Sequence, residues 1–377
     1  MKKILINAIA TKEGGGAVVF EKTVNEMIAQ DNNIEWFIII DEALRAKIKI
    51  TDRVTILTFP WIKKSLFHLL YFNEIILPRL VINLKIDRFF SVINTLPFRK
   101  LSCKTFLHIL QAGYFSKEFI SLNAKYNNSF KSKVEWAARK HWTFLSLKKS
   151  DIIISPTQSL ANEIITQLKI DKNKIKVVLP GPGLAEGFVS PKSYYHKNTL
   201  KIGYITKYGV QKNFEVLFKA AAELKKQQID FKLVLTLNQN HTSYHFIKAL
   251  IDLYNISDII ENHGEISEKE IQTLYLTLDC FVFPSLCESI GFPLLEAMYY
   301  ALPIIASDIN SNRELLGDEG VFFNPHDYIE LSHKIILILA NLHEQSDLSE
   351  YSIERSKLFL WTNSAKNTLM ELGCNIN

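Results

Sequence analysis

Two carboxylates eight residues apart, Glu288 and Glu296, stand on either side of a change in backbone pattern. Before them runs Asp279-Cys280-Phe281-Val282-Phe283, whose aromatic and β-branched content is that of a buried strand. Pro284 and Ser285 stop it, and a loop follows over Leu286 to Gly291. Pro293 then stands where a helix opens, its missing N–H costing nothing in a first turn. A loop leading into a helix aims backbone amides and a positive helix end at one point, an arrangement suited to phosphate. Glu288 lies in the loop and Glu296 about one turn into the helix, so they do not share a helix face. They would reach different parts of one ligand, Glu296 bridging a vicinal diol with its two oxygens. Spacing alone carries little, because Glu13/Glu21 and Glu215/Glu223 repeat it. Only the 288/296 pair spans a strand–loop–helix junction.

Leu294, Leu295 and Met298 give the helix an apolar face, Gly291 permits close backbone approach, and Pro303 opens a second strand, Ile304-Ile305-Ala306. Strand, loop, helix and strand make one βαβ unit. The same alternation recurs throughout. Strand-like runs at Ile4–Asn7, Trp36–Ile40, Val54–Leu57, Asp87–Val92, Phe106–Leu110, Asp151–Ile154 and Ile175–Leu179 precede Pro180-Gly181-Pro182-Gly183, the best linker candidate. Others follow at Leu200–Ile205, Phe231–Leu237, Ile259–Ile266 and Gly320–Phe323. With 377 residues, two α/β domains with doubly wound sheets are expected.

The run P-S-x-x-E-S-x-G-F-P-x-L-E-A-M from Pro284, then A-L-P-I-I-A-S-D and Asn312-Arg313-Glu314-Leu315, resembles the signature of GT4-type retaining glycosyltransferases. The match is specific over Gly264 to Pro325, moderate from Leu179 onward and weak in the first half. The resemblance implies the GT-B fold, two Rossmann-like domains facing a central cleft. Residues 1–180, joined by a C-terminal helix at 358–377, would bind the acceptor, and residues 181–357 the nucleotide sugar. It implies that Glu288 meets the donor sugar, that Glu296 bonds the ribose hydroxyls, and that Ser289, Ile290, Gly291 and Leu294 complete the donor site. The turn Gly264-Glu265-Ile266 would read the nucleobase through its backbone.

Other candidates have readings of their own. Gly14-Gly15-Gly16, between a first strand and a first helix, allows close approach of phosphate or sugar but is neither a Walker loop nor a dinucleotide fingerprint. In the resembled family such a loop borders the donor pocket. His108 lies near the strand end where open α/β sheets bind ligands, and it fits equally a buried core imidazole. A comparable His in the family makes it a catalytic candidate. Lys207 and Lys212, after the strand Leu200–Ile205, can neutralise a diphosphate as point charges. Tyr204 stands where the family commonly carries Arg. No DxD-like carboxylate pair compels a metal, so no cofactor or metal is expected, only a UDP- or GDP-sugar donor.

Residues 1–190 hold 28 Lys and Arg against 16 Asp and Glu, and the remainder 16 against 23, so a basic front half faces an acidic back half. No nucleic-acid-binding pattern accompanies the charge, and no nucleic-acid partner is expected. A lipid-linked glycan acceptor, or peripheral contact with an anionic membrane, fits better. The aromatic and basic run Lys117 to Lys149 is the acceptor-side candidate. Phe59 to Leu80 reads either as a core helix or as a membrane-surface helix. The four cysteines form no CxxC, and no apolar run nears the ~20 residues needed to cross a bilayer. A cytoplasmic chain is expected, associated with the inner face of the cell membrane. Two rivals stay open: a nucleotide-sugar 2-epimerase of the same fold, and a non-catalytic glycosyltransferase-like subunit.

Overall fold

The computed structural model describes residues 1–11, 14–31, 33–126, 129–184 and 189–374. They form two compact units, Met1–Phe115 with Asn127–Gly181 and Leu360–Asn377, and Ser116–Tyr126 with Pro182–Phe359.

The first unit is built on seven parallel strands: β1 (Lys2–Asn7), β2 (Ile34–Ile40), β3 (Val54–Thr58), β4 (Arg88–Ser91), β5 (Lys104–His108), β6 (Ile152–Ser155) and β7 (Ile175–Val177), in the order β3-β2-β1-β4-β5-β6-β7. Side chains two residues apart face the same side of a strand, so both faces must be apolar for helices to cover them. Ile4 and Ile6 enter one core cluster with Trp36, Ile38 and Ile40, while Leu5 enters another with Ile39, Phe89 and Leu107. Helices α1 (Gly15–Gln30), α2 (Leu66–Tyr71), α3 (Leu77–Asn83), α4 (Lys117–Tyr126), α5 (Phe130–Lys149) and α6 (Gln158–Leu168) occupy this part of the chain.

The second unit has six parallel strands: β8 (Leu200–Tyr204), β9 (Phe231–Leu235), β10 (Ile260–Asn262), β11 (Cys280–Phe283), β12 (Ile304–Ser307) and β13 (Val321–Phe323), ordered β10-β9-β8-β11-β12-β13. Its helices are α7 (Phe214–Lys226), α8 (Tyr244–Leu253), α9 (Glu268–Thr277), α10 (Phe292–Tyr299), α11 (Asn310–Leu316), α12 (Tyr328–Ala340) and α13 (Leu342–Ser356). A last helix, α14 (Trp361–Glu371), belongs to the first unit, where Ala365, Leu369 and Leu372 join the core of Ile4 and Trp36. In both sheets the strand order reverses beside the first strand of the unit, at β1/β4 and at β8/β11. That reversal opens a crevice at the carboxyl ends of those strands.

Two stretches differ from the sequence reading. The basic run Lys117 to Lys149 is divided, for α4 belongs to the second unit and α5 to the first. Helix α4 packs against the short helix Val210–Lys212, and Glu118 pairs with His326 at 3.0 Å. Charge composition cannot register such contacts. The Phe59 to Leu80 stretch is broken into short pieces, with a π-helical turn at Phe72–Ile76 between α2 and α3. Phe72, Leu77 and Val81 are buried, whereas Leu66 and Phe67 are 68% and 73% exposed, so it is core on one side and open on the other.

Where the first unit ends, Gly181 lies against the indole of Trp361 at the start of α14. A Cβ there would come within 2.5 Å of the ring's Cδ1. Because Trp361 is itself buried, Gly181→Ala should lower the unfolding free energy by roughly 1–3 kcal/mol, measured by urea denaturation.

Candidate active site

Within the second unit, the loops after β8 and β11 leave adjacent strand ends and are tied together. Tyr204, the last residue of β8, is fully buried, and its hydroxyl lies 3.1 Å from both Lys212 O and Ser285 Oγ. Leu286 N donates to Gln211 O at 2.8 Å, and Ser307 Oγ donates to Ser285 O. Tyr204 therefore does structural work where an arginine would bring charge.

This bracing brings Lys212 and Glu288 together. Lys212 Nζ donates to Glu288 Oε1 at 2.6 Å, with the two side chains only 13% and 12% exposed. The ammonium also lies 5.9 Å from the centre of the Phe283 ring. At this burial each charge needs the other, because an unpartnered ion out of water is costly. Lys207 is placed differently. It is exposed and reaches Glu265 at 3.4 Å, beside the turn that carries Gly264 and Ile266. Asn262 braces that turn, its carbonyl accepting from Leu237 N at 2.8 Å and from Gly264 N at 3.3 Å.

The loop after Glu288 leads through Ser289 and Ile290 to Gly291, which caps α10 with φ 74° and ψ 53°. That left-handed conformation is one a glycine adopts without steric cost. Ile290 and Leu294 are buried, and Leu294 N donates to Gly291 O at 2.9 Å, so Leu294 shapes the first helical turn from below. Helix α10 begins at Phe292, with Pro293 in the first turn.

Glu296 lies in the second turn of α10 and is 8% exposed. Burial pushes its carboxyl up to about 7, partly offset by a hydrogen bond from Tyr275. Glu268 raises it further, and the Leu184 backbone N–H lowers it. Tyr275 Oη donates to Glu296 Oε2 at 2.9 Å. On the other side Gly183 lies so close that a Cβ would meet Glu296 Oε1 at 2.3 Å. A carboxylate so enclosed, with lone pairs left over, can accept from hydroxyl donors.

The remaining candidates lie on the first unit. Gly14 caps α1 with φ 76°, Gly15 opens the helix, and a Cβ on Gly16 would stand 4.0 Å from Leu110 Cδ1, just beyond the end of β5. Glu13 falls outside the described residues. His108 ends β5, is 7% exposed, and lies 6.2 Å from the Phe90 ring in a near-parallel stack. Burial drops its pKa to about 4, so it is neutral at pH 7, and its Nε2 has no hydrogen-bond partner. A neutral imidazole can donate or accept one hydrogen bond but is a poor acid there.

Sequence reasoning missed Tyr275, Asn262 and the Ser116–Cys287 contact. The Cys287 thiol, beside Glu288, is pushed up to about 12 by burial first and by that carboxylate second, with a hydrogen bond from Ser116 acting the other way. Nothing in the local pattern marks these residues, because their roles come from contacts across loops. The four cysteines are free. Among the described residues no cluster of three or more His, Cys, Asp or Glu could hold a metal, and no helix is long and apolar enough to cross a membrane.

Residues 190–355 match the family model described as glycosyl transferases group 1. The chain is 27% identical over 228 residues to the serotype-specific mannosyltransferase WbdA of Escherichia coli. That alignment covers 58% of this chain but only 28% of the relative, so the chain spans little more than a quarter of that protein's length. Among solved structures, sucrose-phosphate synthase from Thermosynechococcus elongatus superposes with a TM-score of 0.75 at 14% identity, covering 99% of this chain and 98% of that one. Anabaena HepE in complex with UDP-glucose gives 0.69 at 15%, covering 99% and 100%.

Two consequences are measurable on the protein alone. Lys212→Met strands the Glu288 carboxylate and should cost about 1.5–3 kcal/mol of stability, with much of the loss recovered in Lys212→Met/Glu288→Gln. Folding raises the Glu296 carboxyl from its ordinary 4.5 to about 7, so across that window the folded chain holds a proton that the unfolded chain has released. Glu296 should therefore cost stability progressively as pH rises from 4.5 to 7. Melting of Glu296→Gln relative to the parent, followed from pH 5 to 8, reads this directly.

Proposed function

We propose that this chain, whose residues 190–355 match the model of the group 1 glycosyltransferases, transfers a hexose from a nucleotide diphosphate sugar to a hydroxyl acceptor, with retention at the anomeric carbon. The observation that carries this reading is the Lys212–Glu288 pair at the β8/β11 reversal, with Glu296 buried one helical turn beyond it. In this reading Glu296 accepts hydrogen bonds from the ribose diol, and the amides entering α10 and Lys212 meet the diphosphate. Glu288 meets the sugar, and the Gly264–Ile266 turn borders the base with Lys207 beside it.

As the bond from the anomeric carbon to the diphosphate oxygen breaks, its electron pair moves onto that oxygen. Lys212 and the helix-end amides are suited to stabilise the developing charge. The acceptor oxygen forms the new bond from the same face, and its proton passes to the departing phosphate. This step asks for no protein nucleophile and no metal, since fixed donors supply the counter-charge. His108, neutral as it is held, is a hydrogen-bonding group offered by the first unit, as are the backbone groups of Gly14, Gly15 and Gly16.

The names of the relatives support a polysaccharide setting, such as a lipid-linked O-antigen, capsule or exopolysaccharide intermediate as acceptor. The HepE complex supports a nucleotide sugar as donor. The exposed Leu66, Phe67 and Tyr71, near Lys63 and Lys64, support peripheral contact of the first unit with an anionic membrane at its cytoplasmic face.

A thermal-shift panel of UDP-, GDP-, ADP- and CMP-sugars tests the reading. One class should stabilise the protein, and Glu296→Ala should abolish that shift. Glu288→Ala should lower turnover by about 10³-fold or more while nucleotide binding stays nearly intact. Activity should persist in excess EDTA. Equal loss of binding and turnover in Glu288→Ala refutes the role given to that residue.

A further inference from the structure

Glu296 is not held by its helix alone. Its Oε2 accepts from Tyr275 Oη at 2.9 Å, while the same oxygen of Tyr275 lies 3.3 Å from Pro293 O in the first turn of α10. The Tyr275 ring is fully buried, stacked on Tyr300 with centroids 5.1 Å apart and planes 6° apart, and tilted against Phe281 at 5.8 Å. A ring so clamped fixes where its hydroxyl points, and through it the carboxylate rotamer. The phenol stays protonated, since burial and the Glu296 charge both hold it well above its ordinary range.

Among the described residues, the groups that shift Glu296 include no cation. Glu268, at the start of α9, acts on it as a like charge, and Tyr300 follows the end of α10. Packed against α10, α13 offers Ser349 and Ser352, whose hydroxyls donate to Ala301 O and Leu302 O. On the linker side the Leu184 N–H is the donor. Tyr275 is thus the one side-chain hydroxyl recorded on this carboxylate among the described residues.

We propose that Tyr275 is a positioning residue for donor binding: its clamped hydroxyl aims the Glu296 carboxylate at the ribose diol. The inference rests on the reading of Glu296 as the ribose ligand. A carboxylate accepts from both hydroxyls of a diol, whereas the protonated acid must spend one oxygen as a donor. Affinity should therefore weaken up to tenfold per pH unit below about 7 and level off above it. Without the Tyr275 hydroxyl the carboxyl loses a partner that favours its charge, and the levelling point moves up.

The test is calorimetric titration of the full chain with UDP and with GDP, from pH 6 to 9. Relative to the parent, Tyr275→Phe should shift the affinity-versus-pH curve upward by roughly one unit, giving about fivefold weaker binding at pH 7. The two should converge near pH 9. Glu296→Gln should bind weakly with a flat pH profile. If Glu296→Gln weakens binding but Tyr275→Phe leaves the midpoint in place, the positioning role is overturned and the donor site stands. If Glu296→Gln binds like the parent, or neither nucleotide binds, both ideas fall. Should Tyr275→Phe not fold, the parent alone decides: its preference for UDP or GDP over the 2′-deoxy nucleotide must shrink as pH falls below 7. A preference constant across that range overturns the proposal.

Discussion

An ammonium and a carboxylate withdrawn from water must find each other, and the Lys212–Glu288 pair imposes that requirement on the second unit. The residues are 76 apart in the chain and leave the ends of neighbouring strands, so the contact exists only while both loops keep their shape. Tyr204, Ser285 and Ser307 supply that shape with buried hydroxyls, and the parallel pairing of β8 with β11 sets the distance to be bridged. The cost of burying charge is met by geometry that also leaves a lysine and a row of amides near the start of one helix. The same arrangement that satisfies the fold concentrates groups able to hold a diphosphate.

Glu296 follows a different logic. Among the described residues its partners are a phenol and a backbone N–H, with tight packing from Gly183, and burial holds its proton up to near-neutral pH. One carboxylate is thus paired with an ammonium, and the other is enclosed beside a phenol. Perturbed carboxyls of this kind gather where a ligand is to be gripped. His108, on the first unit's sheet, shows the complementary case, an imidazole driven neutral by burial.

Strands were the most legible part of the chain. Runs such as Phe281-Val282-Phe283 and Ile304-Ile305-Ala306 are short, apolar and bounded by a proline, and the strands among the described residues all overlap runs read as strands from the sequence. The helix start at Phe292 was legible for the same reason, with glycine before it and proline within its first turn. Side-chain direction was not. Leu294 and Ile290 sit in the signature beside the glutamates, yet both point into the core, because a motif matches positions without saying which atoms face a ligand. Lys207 and Lys212 look alike in sequence, but one is exposed beside Glu265 and the other is enclosed with Glu288. Tyr275 carries no local signal, as its partner is 21 residues away on another helix. The assignment of α4 to the second unit was not legible, because charge shows neither the side on which a helix docks nor its partner.

The return of α14 to the first unit has an effect on how the molecule comes into being. Ala365, Leu369 and Leu372 cover the same sheet face as Ile4 and Trp36, residues that leave the ribosome more than three hundred positions earlier. Helix α1 covers part of that face early, through Phe20, Val24 and Met27, but the share that α14 takes stays open throughout synthesis of the intervening chain. Contacts so distant along the chain close slowly. The nascent polypeptide therefore passes through a long interval in which its opening strands are complete but only partly covered, the stage at which helper proteins would have the most to shield.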